Sequence, residues 1–533
     1  MPPQLGDAAS REPRESSAIS LRLRWSRLFT HVHTSSLVYL RVAFYGIMLW
    51  EVWRFIDHNW VERYFTGKEF YFKYWPFVFV QPWPGDGMMV HFYVMGIVAV
   101  FAMLGLFYRL SATLFFFLIT YVFLLEQARY LNHLYLICLI SFLMILVPAH
   151  RYFSLDAFLK PALRSTIVPA WSVWLLCFQV GVVYFFGGIA KLNADWLRGE
   201  PLRAWLAART DFPFLGQFFT NDAVVWLMNY GALFVDLFAV FLLINRRTRV
   251  FGFIALLVFH FMNSRLFGIG IFPWTMIAAT AIFFEPDWPR RALRDLREGH
   301  RYRSHTLIGG FALGFLIGGF LPETFSLIRA LIGGMGVAIA AYHLDEPFRH
   351  REVRATADHS TDSNQTTGAT QSGLSLLQKT TVALLGTWVV IQVLVPLRHF
   401  VIPGNVHWTE EGHNFSWHMK LRDKDSGGFF VVTDPDTGQE QRINPRSYLT
   451  NRQVSKMTSR PDMIVQFARY LEKRFREEGH DNVEVRAHIL ASLNGRAPQL
   501  LIDPQVDLTE VPYPWWGHAD WILPLEVPLL AGD

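Results

Sequence analysis

The sequence predicts a mainly α, polytopic transmembrane helical bundle followed by a C-terminal extramembrane α+β domain. Three observations carry this expectation. Of 533 residues, 52% are hydrophobic and only 17% are charged, against about a quarter charged in a soluble globular domain. The apolar residues gather in long runs, as bilayer spans require. Beyond about His399 those runs give way to short alternating stretches of a half-buried strand type. Nineteen Trp and 47 Phe suit a chain with many membrane interfaces to anchor. The two cysteines, Cys138 and Cys177, both lie inside apolar runs, which argues against a disulfide framework or a Cys-based zinc site. With a net charge of only +5, the Arg clusters beside apolar segments read as orientation signals, not as a nucleic-acid surface.

Residues 1–34 are polar and carry Arg11, Arg14, Arg22, Arg24 and Arg27. No small-residue cleavage site follows the first apolar run, so that run, 36–56, reads as a retained span. Further candidate spans are 87–107, 111–126, 131–148, 170–190, 222–244, 249–264, 267–284, 305–321, 325–343 and 378–397. The two flanking Asn263-Ser264-Arg265 leave almost no room for a loop. A broken or re-entrant helix is expected there, a form tolerated only inside protein or beside a water-filled cavity. The number of spans is therefore open by about two.

Threading these spans alternately places the N-terminal tail and the Arg-bearing loops 151–164, 246–249, 290–303 and 349–354 on one side, which the positive-inside tendency makes cytoplasmic. The loops 61–77 and 192–217 and the C-terminal region fall outside. The expected division is a tail (1–34), a catalytic transmembrane domain (35–300), an additional hairpin (301–345), a polar linker (346–377), a last span (378–398) and an outer α+β domain (399–533). Gly310, Gly314 and Gly318 recur every four residues, a pattern of close helix packing. In the outer domain, 429–433 and 440–443 read as strands joined by the turn Asp434-Pro435-Asp436-Thr437-Gly438. A helix is expected from Pro461 to Gly479, followed by a strand alternating at Val483, Val485, Ala487 and Ile489. Tyr513, Trp515, Trp516 and Trp521 read equally well as a membrane-docking surface or a binding wall.

Ionisable side chains in spans face a bundle interior or cavity by default. They are Arg41, His91, His133, Lys191, Asp236, His260, Arg265 and His399. On the threading above, His133, Lys191, His260 and His399 fall at the outer ends of different spans and so bring nitrogen bases to one membrane level. Each also has a plainer reading. Lys191 closes an apolar run and can snorkel, a membrane His can serve helix packing, and Asp236 can pair with Arg41 or Arg265. The His residues lack the i, i+4 or Cys-linked spacing of a recognisable metal site, so no metal is expected. No phosphate loop or nucleophile elbow is present.

Several blocks resemble the vitamin K-dependent gamma-glutamyl carboxylase family, as a bacterial-type or divergent member. They are YFFGGIAKLNADWL (184–197), LGLFYRLSATLFFF (104–117), YLNHLYL (130–136), FHFMNSRLFGIGIF (259–272) and EPDWPR (285–290). The outer domain contributes SWHMK (416–420), INPRSYLTNRQ (443–453), MIVQFARYL (463–471) and IDPQVDL (502–508). The resemblance spans roughly 35–300 and 377–525, with the blocks in order. It implies that reduced vitamin K (the hydroquinone) is deprotonated and reacts with dioxygen, giving a strongly basic alkoxide and finally the epoxide. The alkoxide takes a γ-proton from a protein-bound Glu, and the carbanion captures carbon dioxide. By resemblance, Lys191 is the base, His133 acts at the carbanion and carbon dioxide step, and Asn132 holds the hydroquinone oxygen or the Glu. His260, Asn263, Arg265, His399, Trp408, His413 and Trp417 form the quinone-binding, substrate-binding or supporting set.

A lysine is a base only when neutral, and desolvation is the means of making it so. The implied partners are membrane lipid, an isoprenoid quinone entering from lipid and a Glu-containing peptide or protein at the outer face, with the oligomeric state open. The expected location is a multi-pass membrane protein with a cytoplasmic N-terminus and a lumenal, periplasmic or extracellular C-terminal domain. The membrane is the plasma membrane in a bacterium and the endoplasmic reticulum in a eukaryote. The sequence departs from animal members in four places. Those members link the first outer loop to the outer domain by a disulfide, and neither region has Cys here. Gly412 and His413 stand where they have Leu and Tyr near the Glu site, the 305–343 hairpin looks inserted, and animal chains continue past the position of Asp533. Three readings follow: a carboxylase coupled to vitamin K epoxidation, an epoxidase without Glu carboxylation, and a non-catalytic membrane binding or transport protein.

Overall fold

The computed structural model describes residues 25–298, 301–319, 327–344, 374–512 and 517–529. The membrane part is built from α1 (Ser35–Asp57), α2 (Gly87–Leu104), α3 (Tyr108–Leu124), α4 (Asn132–Leu146), α5 (Trp171–Ala190), α6 (Asp222–Ile244), α7 (Arg249–Phe267), α8 (Phe272–Thr280), α9 (Arg301–Gly319), α10 (Leu327–Leu344) and α11 (Leu376–Leu397). Among the described residues, five helices are long and apolar enough to cross a membrane: α2, α5, α6, α7, and α11 with its extension to Phe400. The chain is a multi-pass membrane protein. Helix α1 is as long but carries Arg41, Glu51 and Arg54, while α3, α4 and α8 are shorter apolar helices. The eleven spans expected from hydropathy thus resolve into full-length helices and shorter ones lodged among them.

Helix α5 is the hub. Fifteen of its residues are buried, among them Val180, Val183 and Tyr184, and α6 lies close along it because Gly181 and Gly188 carry no side chain there. A Cβ on Gly188 would stand 2.6 Å from the Leu237 backbone. By contrast, α11 exposes Leu384, Val390, Ile391 and Leu394, as a lipid-facing helix does. The break expected near Asn263 comes slightly later. Asn263, Ser264 and Arg265 complete the last turns of α7. Gly268 and Gly270, at φ +56 and +61, then turn the chain into the short, wholly buried α8. Positive φ is open to glycine at little cost, so a very short connection suffices. In the α9–α10 hairpin, Gly314 meets Gly333 and Gly334 backbone to backbone, and a Cβ there would lie 2.5 Å from the Gly333 carbonyl. Gly310 packs similarly on Ala338. Most of the 346–377 linker, and the 1–24 part of the tail, lie outside the described residues.

Arg41 does not pair with Asp236. Its guanidinium donates to the carbonyls of Met103, Ala149 and Phe153, clamping the turns at the opposite end of the bundle. Each of the three guanidinium nitrogens thus donates to a carbonyl, which satisfies the group in part without a carboxylate partner.

The outer part is an antiparallel sheet of β3 (Lys424–Asp434), β4 (Gln439–Ile443), β5 (Glu484–Leu493) and β6 (Gln499–Leu500), ordered β4-β3-β5-β6. Two short strands near the membrane part, β1 (His31–His33) and β2 (Ile167–Pro169), pair separately. Val485, Ala487, Ile489, Ala491 and Leu493 alternate inward on β5. They pack with Phe467, Ala468 and Leu471 of α12 (Pro461–Glu477) in one core. Trp521 belongs to that core, its indole near the Pro512 carbonyl, so it is not part of a docking surface. Tyr513, Trp515 and Trp516 lie outside the described residues.

Polar contacts bind the outer part to the membrane part. Arg496 grips Asp195 with two N–H groups, each 2.7 Å from a carboxylate oxygen, and Asn494 donates a third bond of 2.7 Å. Gln453 donates to Glu126 at 2.9 Å, and Gln466 accepts from the Lys73 amide at 2.8 Å. The site described next is held between these anchors.

Candidate active site

Lys191 follows the final turn of α5, where Gly187 and Gly188 leave that helix face bare and let α6 approach. The approach brings Asp236 of α6 to 2.5 Å from Lys191 Nζ, with both residues buried. The ammonium also donates to the Gly187 carbonyl at 3.2 Å and lies 5.3 Å from the Trp196 ring. Lys191 therefore does not snorkel, and Asp236 pairs with neither Arg41 nor Arg265 but with Lys191. A buried charge needs such a partner, and here the partner is also a proton acceptor.

This pair walls a hollow of about 290 Å³ lined mainly by apolar groups, with Tyr184, His260 and Asn263 as further polar members. His260 Nε2 lies 2.8 Å from the Tyr184 hydroxyl, which also meets Thr280 Oγ1 at 2.9 Å, while His260 Nδ1 has no hydrogen-bond partner. Leu227 of α6 and Val258 of α7 line the hollow and are exposed on the bundle surface, so the hollow reaches the lipid side between those helices.

His133 opens α4 and lines a second hollow of about 400 Å³ with Glu51, Arg54, Arg129, Lys420 and Arg452. Glu51 is tied to Arg54 at 2.6 Å, leaving a cationic surplus suited to an anion. The hollows share Ile269 and Lys420. Lys191 and His133 thus border adjacent chambers. Asn132 uses both ends of its amide: Oδ1 accepts from Tyr130 at 2.9 Å, and Nδ2 donates to the His418 carbonyl at 2.8 Å.

Residues 29–288 match the family model of the HTTM domain, and residues 377–527 match that of the vitamin K-dependent gamma-carboxylase lumenal domain. The chain belongs to the vitamin K-dependent gamma-carboxylase family. No solved structure matches it.

Of the rest of the expected set, Trp408, His413 and Trp417 lie in segment 406–420, and Arg265 and His399 outside it. Trp417 is fully buried against Tyr135, with ring centroids 5.1 Å apart. Trp408 is also fully buried, but in the outer core. Its indole donates to the Leu523 carbonyl at 2.7 Å, and Lys424 Nζ lies 5.2 Å from its ring. It borders neither chamber. Arg265, in the last turn of α7, contributes to neither chamber, and its carbonyl accepts from Arg209 at 3.4 Å. His399 donates from Nδ1 to the Pro396 carbonyl at 2.8 Å, and its ring centroid is 4.7 Å from that of His418. Of the four bases expected at one level, His133, Lys191 and His260 therefore reach the chambers, whereas His399 joins a separate histidine group.

That group is His407, His413 and His418, all buried. Burial, reinforced by Arg422, pushes His407 down to about 3 and His413 well below its usual value. Burial, with His407 and His399 adjacent, does the same to His418. All three imidazoles are neutral at pH 7. The segment takes positive φ at Glu410, Gly412, Phe415, Trp417 and Lys420, a backbone that local patterning does not announce. Lys420, Asp195 and Asp236 are the residues that sequence reasoning undervalued. For Asp195 a signal existed, since it sits in the same block as Lys191.

Proposed function

We propose that the chain oxygenates reduced vitamin K and uses the strong base so formed to carboxylate protein glutamate. The observation that carries this reading is the buried Lys191–Asp236 pair at the wall of an apolar hollow, beside a cationic hollow bearing His133. The apolar hollow sits at the lower end of the usual size range for small-molecule pockets, and its lipid-side edge at Leu227 and Val258 suits an isoprenoid quinone. When bound, reduced vitamin K supplies, with dioxygen, the base that removes the γ-proton. Lys191 prepares it. Its own proton passes along the 2.5 Å bond to Asp236 Oδ2, which leaves both members of the buried pair uncharged, and the freed amine takes the proton of a hydroquinone hydroxyl. Tyr184 and His260 form a linked donor–acceptor pair on the same wall. In the adjoining hollow, Arg54, Arg129, Lys420 and Arg452 would hold a Glu carboxylate, with His133 next to it for the carbon dioxide step. Lys420, on both walls, would orient the two reactants to each other. The mainly apolar walls of both hollows would limit water there, which protects a carbanion from reprotonation.

On this reading residues 35–300 form the catalytic membrane domain, 301–345 an added hairpin, 346–377 a linker, 378–398 the last span and 399–533 the outer domain. The N-terminus faces the cytoplasm and the outer domain faces the lumen or periplasm, where a Glu-bearing chain would reach the cationic hollow.

The test is purified protein with reduced vitamin K, bicarbonate and Glu peptides, comparing Lys191→Ala and His133→Ala. Losing a positioned acid or base lowers rate by about 10²–10⁴-fold. Epoxide should therefore fall to that extent in the lysine variant, and carboxylated product in both. Normal epoxide formation by Lys191→Ala would reject the assignment. A second reading, epoxidation without carboxylation, draws on Gly412. At φ +74, with a Cβ there meeting His399 at 2.9 Å, it leaves no room for the Leu of animal members. Mass spectrometry of co-expressed candidate substrates separates the two readings, and γ-carboxylated Glu in any of them eliminates the second.

A further inference from the structure

The segment H-x5-H-x4-H at 407–418 has no recognisable metal spacing, yet the fold gathers its three rings. One nitrogen from each of His407, His413 and His418 lies within 4.8 Å of the other two, and the side chains are 3%, 6% and 3% exposed. Both ring nitrogens of His407, both of His418 and Nδ1 of His413 make no hydrogen bond to any other group of the protein. An orphaned buried polar group costs about 1–3 kcal/mol, so five such nitrogens on three neighbouring rings, one from each ring converging, are not explained by packing. By contrast, buried His91 and His260 each keep one ring nitrogen bonded: His91 meets the Leu118 carbonyl at 3.1 Å, and His260 meets Tyr184.

We propose that His407, His413 and His418 form a binding site for a divalent first-row transition-metal ion of the zinc class. Imidazole nitrogen is the ligand type such ions prefer, and three histidines with a fourth position left open is a recurring zinc arrangement. Zinc–nitrogen bonds of about 2.0–2.1 Å in a tetrahedron put ligand nitrogens about 3.3 Å apart, so the rings close inward by small side-chain rotations. His413 ligates through Nδ1. In the metal-free protein its Nε2 accepts from Arg422 Nε at 3.3 Å, which places the imidazole proton on Nδ1. Metal binding moves that proton to Nε2, so Arg422 Nε must turn away from the ring while its Nη2 keeps the 2.6 Å bond to Glu410. The fourth position falls to water. Arg422, Arg460 and Lys424 around Glu410 oppose a dication, so micromolar affinity is expected instead of the far tighter binding of an all-anionic site.

The ion would fix the segment that carries Lys420 to both chambers and gives the His418 carbonyl to Asn132. The site itself does not depend on the proposed reaction, and its test reads metal alone.

Full-length protein in detergent, stripped with EDTA and exchanged into chelator-free buffer, is titrated with zinc and separately with cobalt. The expected result is one ion per chain with half-saturation near ~1 μM and a tetrahedral cobalt absorption band. Zinc should also raise the melting temperature, since it binds the folded state. His413→Gln and the double variant His407→Ala/His418→Ala should weaken binding by about 10–100-fold or more and abolish the band, while His480→Ala, at an exposed outer turn, keeps both. Wild-type binding weaker than ~100 μM overturns the proposal, as does equal binding by the cluster variants. Should the double variant fail to fold, the wild-type titration and His413→Gln decide the matter.

Discussion

Asp195 and Lys191 sit four residues apart in one block, yet they serve different ends. Lys191 turns inward to Asp236, whereas Asp195 turns outward to grip Arg496 and Asn494. Removing one partner of a buried ion pair leaves the other charge uncompensated, at a cost of about 3–5 kcal/mol. Asp195→Asn should therefore loosen the outer domain by that order. Hydrogen exchange would show it as faster exchange across β5 and the 494–496 turn, with α1 to α4 unchanged; protection equal to wild type throughout would refute the anchor. Lys424 gives a pH signature at the same scale. Burial pushes it down to about 7, against the opposing pull of Glu410. Between about 7 and its ordinary value near 10.5 the unfolded chain holds a proton that the folded one lacks, so stability rises with pH across that window and is flat below it. Thermal melts from pH 6 to 9 should show this rise in the wild type and a smaller one in Lys424→Met. Equal slopes would remove Lys424 as the cause.

The α5–α6 contact rests on missing side chains, and this makes an element-scale prediction. Gly188→Ala on α5 places a methyl 2.6 Å from the Leu237 backbone, whereas Gly386→Ala, on the lipid-facing α11, meets nothing within 4 Å. Overpacking costs about 1–3 kcal/mol, while alanine in an open helical position is neutral or favourable. The first variant should spread the helices, weaken the Lys191–Asp236 pair and lower both melting temperature and epoxide formation. The second should retain both. Identical behaviour of the two would show that the glycine seam does not position the lysine. Much of this level was legible in the sequence. Long apolar runs announced α2, α5, α6, α7 and α11, because lipid leaves few alternatives to a helix. The 3.6-residue and two-residue periods announced α12 and β5. What local pattern left out is tertiary: Asp236 lies 45 residues from Lys191, Lys420 enters the chambers from the outer segment, and the three histidines meet only through a run of positive-φ residues.

At the scale of the whole molecule, the proposed chemistry requires two opposite approaches, a quinone arriving through lipid between α6 and α7 and a polar Glu-bearing chain arriving at the outer face. Both routes end at chambers roofed by the 406–420 segment, so function depends on which side of the membrane the outer domain occupies. In the proposed orientation, which rests on the arginine asymmetry, that domain lies on the side opposite the 246–249 loop. The two cysteines, Cys138 and Cys177, are buried, which gives little background for thiol labelling. Asp436→Cys, in the exposed β3–β4 turn, and Arg247→Cys, in the exposed loop between α6 and α7, then report on opposite faces. In right-side-out vesicles a membrane-impermeant maleimide should label the first at once and the second only after permeabilisation. Labelling of Arg247→Cys alone in sealed vesicles would invert the molecule, placing the cationic chamber away from secreted substrates and overturning the peptide route.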